Sequence, residues 1–139
     1  MMTVRETMSE AWMVVHPDAT VGLAFEIFGA VKRRHLPVID GDGSFIGLLS
    51  ARALGALSVP YFVGDEYVGD VQAAYNAPIG DLVDVDVPSI DAEADALEAA
   101  ELMLECAIEA LPVVNADGVF VGIVNYDDVL RAMLSEHAA

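Results

Sequence analysis

Two stretches of the chain carry apolar residues at the spacing of a helix with one buried side. In each stretch they recur three and four residues apart, which predicts an amphipathic helix. The buried face of the first helix comprises Val21, Ala24, Phe25, Phe28 and Val31. The buried face of the second comprises Ala96, Ala99, Ala100, Met103 and Cys106. We predict that both faces belong to the core, with Cys106 as a small buried hydrophobic residue.

Two short aliphatic runs follow each predicted helix. Pro37 and Pro112 cannot continue a helix, so these runs are predicted to be strands. A turn containing Asp-Gly separates the runs at residues 40–43 and 115–118, which is typical of a hairpin. An extended run precedes each helix, at residues 12–15 and 87–90, and a further helix follows each hairpin. The predicted order is therefore β-α-β-β-α, twice.

The chain repeats itself with an offset of 75 residues. Residues 36–49 fall on residues 111–124 without a gap, and seven of these 14 positions are identical. Chance rarely gives this, so we assign a first copy to residues 1–56, an aromatic-containing connector to 57–77 and a second copy to 78–139. One copy alone would expose its sheet face. We therefore expect an α+β fold in which the copies pack sheet to sheet with pseudo-twofold symmetry, leaving two clefts between them.

Composition and charge exclude several classes of protein. Hydrophobic residues make up 55% of the 139 residues, which excludes intrinsic disorder. The net charge is −17, which argues against binding to nucleic acid polymers or to anionic membrane surfaces. One cysteine cannot form an internal disulfide. The apolar stretch 43–64 holds Arg52 near its middle, so we expect no membrane span and a cytoplasmic protein.

Motifs of catalysis and metal binding are absent from the sequence. It holds no G-x-S-x-G, no H-E-x-x-H and no P-loop lysine motif. The three histidines lack the spacing of a metal site. We therefore predict that the protein is not an enzyme and holds neither a metal ion nor a covalent cofactor.

The two copies resemble the cystathionine-β-synthase (CBS) domain family. The resemblance rests on the run from Val15 to Val21, on the motif L-P-V-(I/V)-(D/N), on the D-G turn, and on the strand end G-h-h-(S/T/N), where h is apolar. It covers residues 4–56 and 79–136. Two copies in one register resemble a tandem CBS pair, or Bateman module. Such pairs bind adenosine-containing ligands between the copies and commonly form disc-like homodimers, so the resemblance implies both properties here.

The resemblance also implies which residues hold the ligand. In the family, an Asp three residues after the strand-end Ser or Thr holds the ribose hydroxyls, and in the second copy this is Asp128, after Asn125. The opposite copy's opening strand contacts the adenine, and basic residues before its L-P-V motif reach the phosphates. The resemblance therefore implies one competent site, formed by Trp12, Met13, Val15, Arg34, His35, Asn125 and Asp128.

The other cleft departs from the family pattern. Ala53 occupies the ribose position after Ser50, and Glu109 and Ala110 stand where phosphate donors would lie. We expect a degenerate cleft formed by Ser50, Val87 and Ile90. Residues 70–139 hold one basic and 15 acidic groups, so they repel a polyphosphate. AMP or ADP is accordingly the favoured ligand, with ATP and S-adenosylmethionine as further candidates.

Structural explanations compete with these functional ones. We predict that the basic run 32–35 lies in the last turn of a helix, where cations complement the helix dipole. Asp128 is predicted in the first turn of the last helix, where an acid is favoured for the same reason. Asn125 suits a helix N-cap. The connector holds Tyr61, Phe62, Tyr67 and Tyr75, and either covers its own core or joins a dimer interface. The sequence thus leaves two functions open: an adenosine-ligand sensor that modulates an unidentified partner protein, and a ligand-free dimerisation or interaction scaffold.

Overall fold

The structure is a computed structural model that describes residues 1–9, 13–57, 62–63, 66–67 and 75–138. A short helix comes first: α1 (Val4–Thr7). The first copy then supplies α2 (Val21–Ala30), β1 (His35–Ile39), β2 (Phe45–Ser50) and α3 (Ala51–Leu57). A small hairpin of β3 (Phe62–Val63) and β4 (Glu66–Tyr67) and a 3₁₀ turn (Gly80–Leu82) follow. The second copy supplies β5 (Ile90–Asp91), α4 (Ala96–Cys106), β6 (Ala110–Val114), β7 (Phe120–Asn125) and α5 (Tyr126–Ala138).

Both copies contain the predicted hairpin in the same register. β1 pairs antiparallel with β2, and His35 lies opposite Ser50. β6 pairs antiparallel with β7, and Ala110 lies opposite Asn125. The opening strand is β5 in the second copy, parallel to β6, and a single parallel bridge from Val15 to β1 in the first. The predicted α+β class and element order are confirmed.

Side-chain caps fix where the first helix of each copy begins. The Thr20 hydroxyl accepts a hydrogen bond from the Leu23 N–H at 3.1 Å, and an Asp95 carboxylate oxygen accepts one from the Leu97 N–H at 3.0 Å. Each satisfies a backbone donor that the first helical turn leaves without a partner. The caps therefore fix the residue at which each helix begins.

The β1–β2 turn is held by its own carboxylates. Asp40 Oδ1 accepts hydrogen bonds from the N–H groups of Asp42 and Ser44, and Gly43 takes a φ of 89° that favours glycine. A hydrogen bond with the Asp40 side chain, together with hydrogen bonds from Ser44, lowers the pKa of Asp42 to about 2. The Asp-Gly signal in the sequence thus corresponds to an Asx-type turn.

The chain folds into two compact units whose boundaries differ from those of the sequence copies. The first-copy unit comprises residues 14–85, and the second-copy unit comprises residues 1–13 and 86–139. The leading segment of each sequence copy thus packs with the body of the other copy. Val4 N–H donates to the Ala94 carbonyl at 2.8 Å, and its equivalent at the 75-residue offset, Ile79, donates to the Ala19 carbonyl at 2.9 Å. Both Val4 and Ile79 are completely buried.

Each unit has its own core beneath its helices. The second-copy core includes Val4, Met103 and Leu111, and the first-copy core includes Leu36, Leu49 and Ile79. The predicted helix faces supply Val21, Ala24, Ala96, Ala99 and Met103 as buried residues, while Phe25, Phe28, Val31 and Ala100 are partly buried.

The prediction that Cys106 is buried was wrong. Cys106 is the last residue of α4 and is exposed. The chain turns away at Ala107, which has a φ of 54° and a ψ of 46°, so nothing in the following segment continues the helical face over the thiol.

The end of the connector packs on the first-copy unit. The Tyr75 ring stacks on Phe25 with centroids 5.7 Å apart. A Cβ on Gly22 would overlap the same tyrosine ring, which explains why that helical position is a glycine. The other predicted connector aromatics, Tyr61 and the side chains of Phe62 and Tyr67, lie outside the described residues.

Candidate ligand site

The second copy places Asp128 in the first turn of α5, as the sequence predicted. β7 ends at Asn125 and α5 begins at Tyr126. The Tyr126 N–H donates to the Glu109 carbonyl at 2.9 Å, which ties the start of the helix to the residue before β6. Negative charge is favoured at a helix N-terminus, so an acidic residue suits this position.

The Asp128 carboxylate is buried and is hydrogen-bonded to three other residues of its own unit. The residue is 5% exposed. Its Oδ2 accepts from the Asn125 backbone N–H at 2.9 Å and from the Asn125 amide at 3.3 Å. The Ser9 hydroxyl lies 3.4 Å from both carboxylate oxygens, and the Arg131 guanidinium donates to Oδ1 at 2.9 Å. A buried carboxylate needs such donors, since burial without them is costly.

Asn125 is held by Asp128 on both its backbone and its side chain. Asn125 precedes the helix, as expected for an N-cap residue, and its amide donates to the carboxylate. The contact from the Asn125 N–H to Asp128 is the reciprocal half of a capping box, in which the third helical residue reaches back to the cap. Asp128 therefore has a structural role at the helix start whether or not a ligand binds.

Arg131 bridges two carboxylates on the exposed side of α5. It lies 3.0 Å from Asp127 Oδ2 and 2.9 Å from Asp128 Oδ1, and its side chain is 67% exposed. The hydrogen bond and charge of Asp127, followed by the hydrogen bond to Asp128, raise the pKa of the Arg131 guanidinium above its usual value. The buried carboxylate is thus linked to solvent through one exposed cation.

In the first copy, an uncharged side chain caps the equivalent helix start. The Ser50 hydroxyl accepts from the Ala53 N–H at 3.0 Å, so Ser50 acts as an ordinary N-cap. Ala53 stands at the position of Asp128, and Ala56 stands at the position of Arg131. Alanine therefore stands in the first copy at the positions of both members of the Asp128–Arg131 ion pair.

Two of the predicted cleft residues, one from each cleft, are core residues. Val15 is 4% exposed and Ile90 is 7% exposed, and each belongs to the hydrophobic core of its unit. The Val15 N–H donates to the Pro37 carbonyl, and the Val15 carbonyl accepts from the Ile39 N–H. The opening strand thus positions neighbouring residues by pairing with β1.

The basic run lies beyond the helix and not in its last turn. α2 ends at Ala30, and Val31 is already extended, with a φ of −115° and a ψ of 149°. Lys32 and Arg34 are exposed in the link to β1, and His35 is the first residue of that strand. The helix-dipole explanation for this run was therefore wrong. The Arg34 carbonyl accepts from the Ala51 N–H at 2.8 Å, next to Ser50 of the same copy.

The remaining predicted site residues divide between the two units. Met13 and Val87 belong to the second-copy unit with Asn125 and Asp128, and Met13 is 48% exposed. Ser50 belongs to the first-copy unit with Arg34 and His35. Trp12 lies outside the described residues. The structure therefore brings Asn125 and Asp128 together in one unit, and Arg34, His35 and Ser50 together in the other.

Sequence reasoning missed Ser9 and Arg131. Arg131 follows Asp128 by three residues, a spacing at which opposite charges on a helix meet, so the signal was present. Ser9 reaches Asp128 because its N–H donates to the Ile123 carbonyl at 3.1 Å on β7. That contact joins residues more than a hundred positions apart, and no local pattern indicates it.

Metal sites and membrane spans were also sought in the described ranges. There, His, Cys, Asp and Glu side chains form no group of three or more that could hold a metal ion. Within the same ranges, every helix is too short or too polar to cross a bilayer.

Comparison with protein families identifies both copies. The CBS domain model matches residues 4–54 and 79–135. The chain belongs to the CBS domain family. The matched stretches are the two copies found from the internal repeat, so the chain is a tandem CBS pair.

Solved structures share the fold over nearly the whole chain. The structure of AcuB from Vibrio cholerae has a TM-score of 0.80 and 25% sequence identity, and the match covers 99% of this chain and 94% of that one. CBSX2 of Arabidopsis thaliana, solved in complex with AMP, has a TM-score of 0.78 and 29% identity, with 97% and 98% coverage.

Several related curated proteins are longer than this chain. The chloroplastic protein CBSX1 of Arabidopsis thaliana is 30% identical over 145 residues, which cover 92% of this chain and 61% of CBSX1. An inosine-5'-monophosphate dehydrogenase of Methanocaldococcus jannaschii is 26% identical over 127 residues, which cover 91% of this chain and 23% of that protein. The similarity therefore concerns the CBS pair and not the full length of such proteins.

Proposed function

We propose that this CBS pair is a regulatory module that binds an adenosine-containing ligand. The observation that carries the proposal is the likeness to CBSX2, which was solved with AMP and matches this chain end to end. A buried carboxylate at the ribose position of the second copy supports it. The proposal assigns the protein a sensing and not a catalytic role, in the cytoplasm, with a separate regulated protein and a homodimeric assembly.

AMP or ADP is the ligand that the charge distribution favours. Residues 70–139 carry a net charge of −14 and residues 1–69 a net charge of −3, so the surroundings of Asp128 disfavour a long phosphate chain. Cations near the first-copy hairpin, Arg34 among them, are the proposed phosphate donors, since charge-assisted hydrogen bonds to phosphate are strong. ATP and S-adenosylmethionine remain as secondary candidates.

Ribose binding requires Asp128 to change hydrogen-bond partners. A carboxylate has about four lone-pair positions, and Asn125, Ser9 and Arg131 already use most of them. Two ribose hydroxyls can be accommodated if Arg131 moves to Asp127 alone and Ser9 releases the carboxylate. Arg131 is exposed and keeps Asp127 as a partner 3.0 Å away. The Asn125 N–H and the two ribose hydroxyls would then supply the donors that the buried Asp128 carboxylate needs.

The same hydrogen bonds favour a second candidate, a ligand-free scaffold. If Asp128 serves only to cap α5 and to pair with Arg131, its burial needs no ligand. The alanines at the equivalent positions of the first copy fit this explanation, because the copy lacking the acid also lacks the arginine. The two candidates differ in one measurable property, which is nucleotide affinity.

Thermal shift with AMP, ADP, ATP, S-adenosylmethionine and inosine monophosphate separates the candidates. A ligand that binds only the folded protein raises the unfolding temperature, and the stabilisation grows with the logarithm of the ligand concentration over Kd. The sensor predicts that AMP or ADP gives the largest shift and that inosine monophosphate gives less. Equal or absent shifts for all five at millimolar concentration contradict the sensor and favour the scaffold. Regulation of a partner further requires the ligand to bind two states with different affinity.

A further inference from the structure

The two oxygens of the Asp128 carboxylate have different donors at short distance. Oδ2 accepts from the Asn125 backbone N–H at 2.9 Å, a contact that belongs to the start of α5 itself. Oδ1 accepts from Arg131 Nη2 at 2.9 Å, and the Ser9 hydroxyl lies farther from it, at 3.4 Å. A ribose hydroxyl that binds Asp128 therefore competes with Arg131 for Oδ1 in particular.

Arg131 divides a single guanidinium nitrogen between two carboxylates. Nη2 lies 2.9 Å from Asp128 Oδ1 and 3.0 Å from Asp127 Oδ2. An arginine binds a carboxylate most strongly through two parallel N–H···O bonds, which place two nitrogens on one partner. Sharing one nitrogen gives neither acid that arrangement, so each contact is weaker than the contact that Arg131 would make with one acid alone.

The surroundings of the two acids determine where a released arginine goes. The side chain of Asp128 is 5% exposed, whereas those of Asp127 and Arg131 are 66% and 67% exposed. Asp127 precedes Arg131 by four residues, and an acid at that spacing before a base stabilises a helix. When a ligand takes Oδ1, Arg131 therefore needs only a side-chain rotation to pair with Asp127 alone.

A helix start at this position of the CBS fold forms without these three charges. The first copy has other residues at the positions of Asp127, Asp128 and Arg131, namely Arg52, Ala53 and Ala56. The helix α3 nevertheless begins there, with the uncharged Ser50 as its cap. Substitutions of Asp127 and Arg131 are accordingly expected to leave α5 folded.

We propose that Asp127 and Arg131 set the affinity of Asp128 for a ribose, with Arg131 as an internal competitor for Oδ1 and Asp127 as the acceptor that holds the arginine while a ligand is bound. Both are positioning residues, because they act through Asp128. The inference rests on the proposed adenosine-ligand function and adds to it the two residues that tune the affinity. Loss of the competitor tightens binding. Loss of the acceptor weakens it, because Arg131 then pairs with Asp128 alone.

Calorimetric titration of AMP into a double-mutant cycle tests the pair. We expect Arg131→Met to lower the Kd about fivefold and Asp127→Asn to raise it about twofold, as for one charge-assisted hydrogen bond and one exposed ion pair. In the Arg131→Met background, Asp127→Asn should have no effect on the Kd, because no arginine is left to redirect. Asp127→Glu restores an acid four residues before Arg131, and with it the wild-type Kd.

Two controls separate this effect from net charge and from folding. Glu101→Gln removes one acid from an exposed position of α4 in the same unit and should leave the Kd unchanged. The cycle itself corrects for the helix start, since Asp127→Asn removes an acid from the first turn of α5 in both backgrounds. Circular dichroism checks that every variant keeps its helices.

The outcomes distinguish this inference from the proposed function. An Arg131→Met variant that binds AMP no more tightly than the wild type, or an Asp127→Asn variant with unchanged affinity, overturns the inference alone. An Asp127→Asn effect of equal size in both backgrounds also overturns it, because Asp127 would then act without Arg131. A wild type that does not bind AMP overturns the proposed function, and with it this inference.

Discussion

Replacing Gly47 with alanine tests how tightly the leading segment of the second sequence copy packs within the first-copy unit. Gly47 lies in β2, where Leu48 exchanges two backbone hydrogen bonds with Asp84, at 3.1 and 2.9 Å. A Cβ on Gly47 would overlap the Asp84 carbonyl oxygen and would lie 2.9 Å from its carbon and 2.8 Å from Val83 Cγ1. Because the obstacle is mainly backbone, the strand and the 79–84 segment must separate.

The equivalent position of the second copy provides the control. A Cβ on Gly122 would lie 2.9 Å from Met8 Sδ and 3.1 Å from the Ser9 carbonyl oxygen. The methionine side chain is flexible and can turn aside. The Ser9 oxygen then needs to yield by only a few tenths of an ångström. The same substitution in the same motif therefore meets rigid backbone in one copy and a movable side chain in the other.

The expected magnitudes follow from this contrast. Overpacking costs about 1–3 kcal/mol and a weakened hydrogen bond about 1 kcal/mol, while alanine recovers about 0.4–1 kcal/mol through the unfolded chain. We expect Gly47→Ala to lower the free energy of unfolding by about 2 kcal/mol and Gly122→Ala by less than about 1 kcal/mol. Urea denaturation followed by circular dichroism measures both. An equal loss in the two variants, or a larger one for Gly122→Ala, would refute the reasoning.

Four further predictions concern single residues. Ala107→Gly should raise the free energy of unfolding by about 1 kcal/mol in urea melts, because Ala107 has a φ of 54°, and no gain would contradict the αL assignment. Thr20→Ala should lower it by about 1 kcal/mol in the same assay, through loss of the N-cap. Asp42 should titrate near pH 2 by NMR in the folded protein, so its contribution to stability is full above pH 3.8 and is lost as the pH falls through 2; a midpoint near 3.8 would contradict this. Arg131→Met should tighten AMP binding in calorimetry by freeing an oxygen of Asp128, and weaker binding would show that Arg131 positions the carboxylate instead.

Much of the fold followed from local patterns in the sequence. The offset of 75 residues placed both hairpins in one register, because identical turn and strand residues form identical local structure. The packing of each leading segment with the body of the other copy did not follow from the sequence. Val4 and Ile79 stand at the start of their own copies, and the sequence assigned them there. Their burial depends on pairing with distant residues such as Ala94, and sequence periodicity carries no information about such pairing.

Two residues of the candidate site were located by the resemblance, but their hydrogen-bond partners were not. Asn125 and Asp128 are hydrogen-bonded at the start of α5, and their part in ligand binding stays a prediction. The contact of Ser9 with Asp128 depends on the packing of residues 1–13 with the second copy. Sequence patterns did not indicate it, because they carry no information about pairing between distant residues. Cys106 was wrongly predicted to be buried, because a helical pattern does not show how far along the helix other residues cover its apolar face.

Calorimetric titration of AMP into three forms of the protein tests the central proposal most directly. The first is the wild type, and the second is Asp128→Ala with Arg131→Ala, which reproduces the Ala53 and Ala56 arrangement of the first copy and so leaves no buried charge unpaired. The third is Glu101→Ala, an exposed acid of α4 that takes no part in the proposed exchange, as the control. The sensor predicts that the wild type and Glu101→Ala bind AMP and that the double variant binds at least about tenfold more weakly, as expected for the loss of hydrogen bonds to a charged group. Equal affinity in all three forms, or no binding by the wild type, would contradict it.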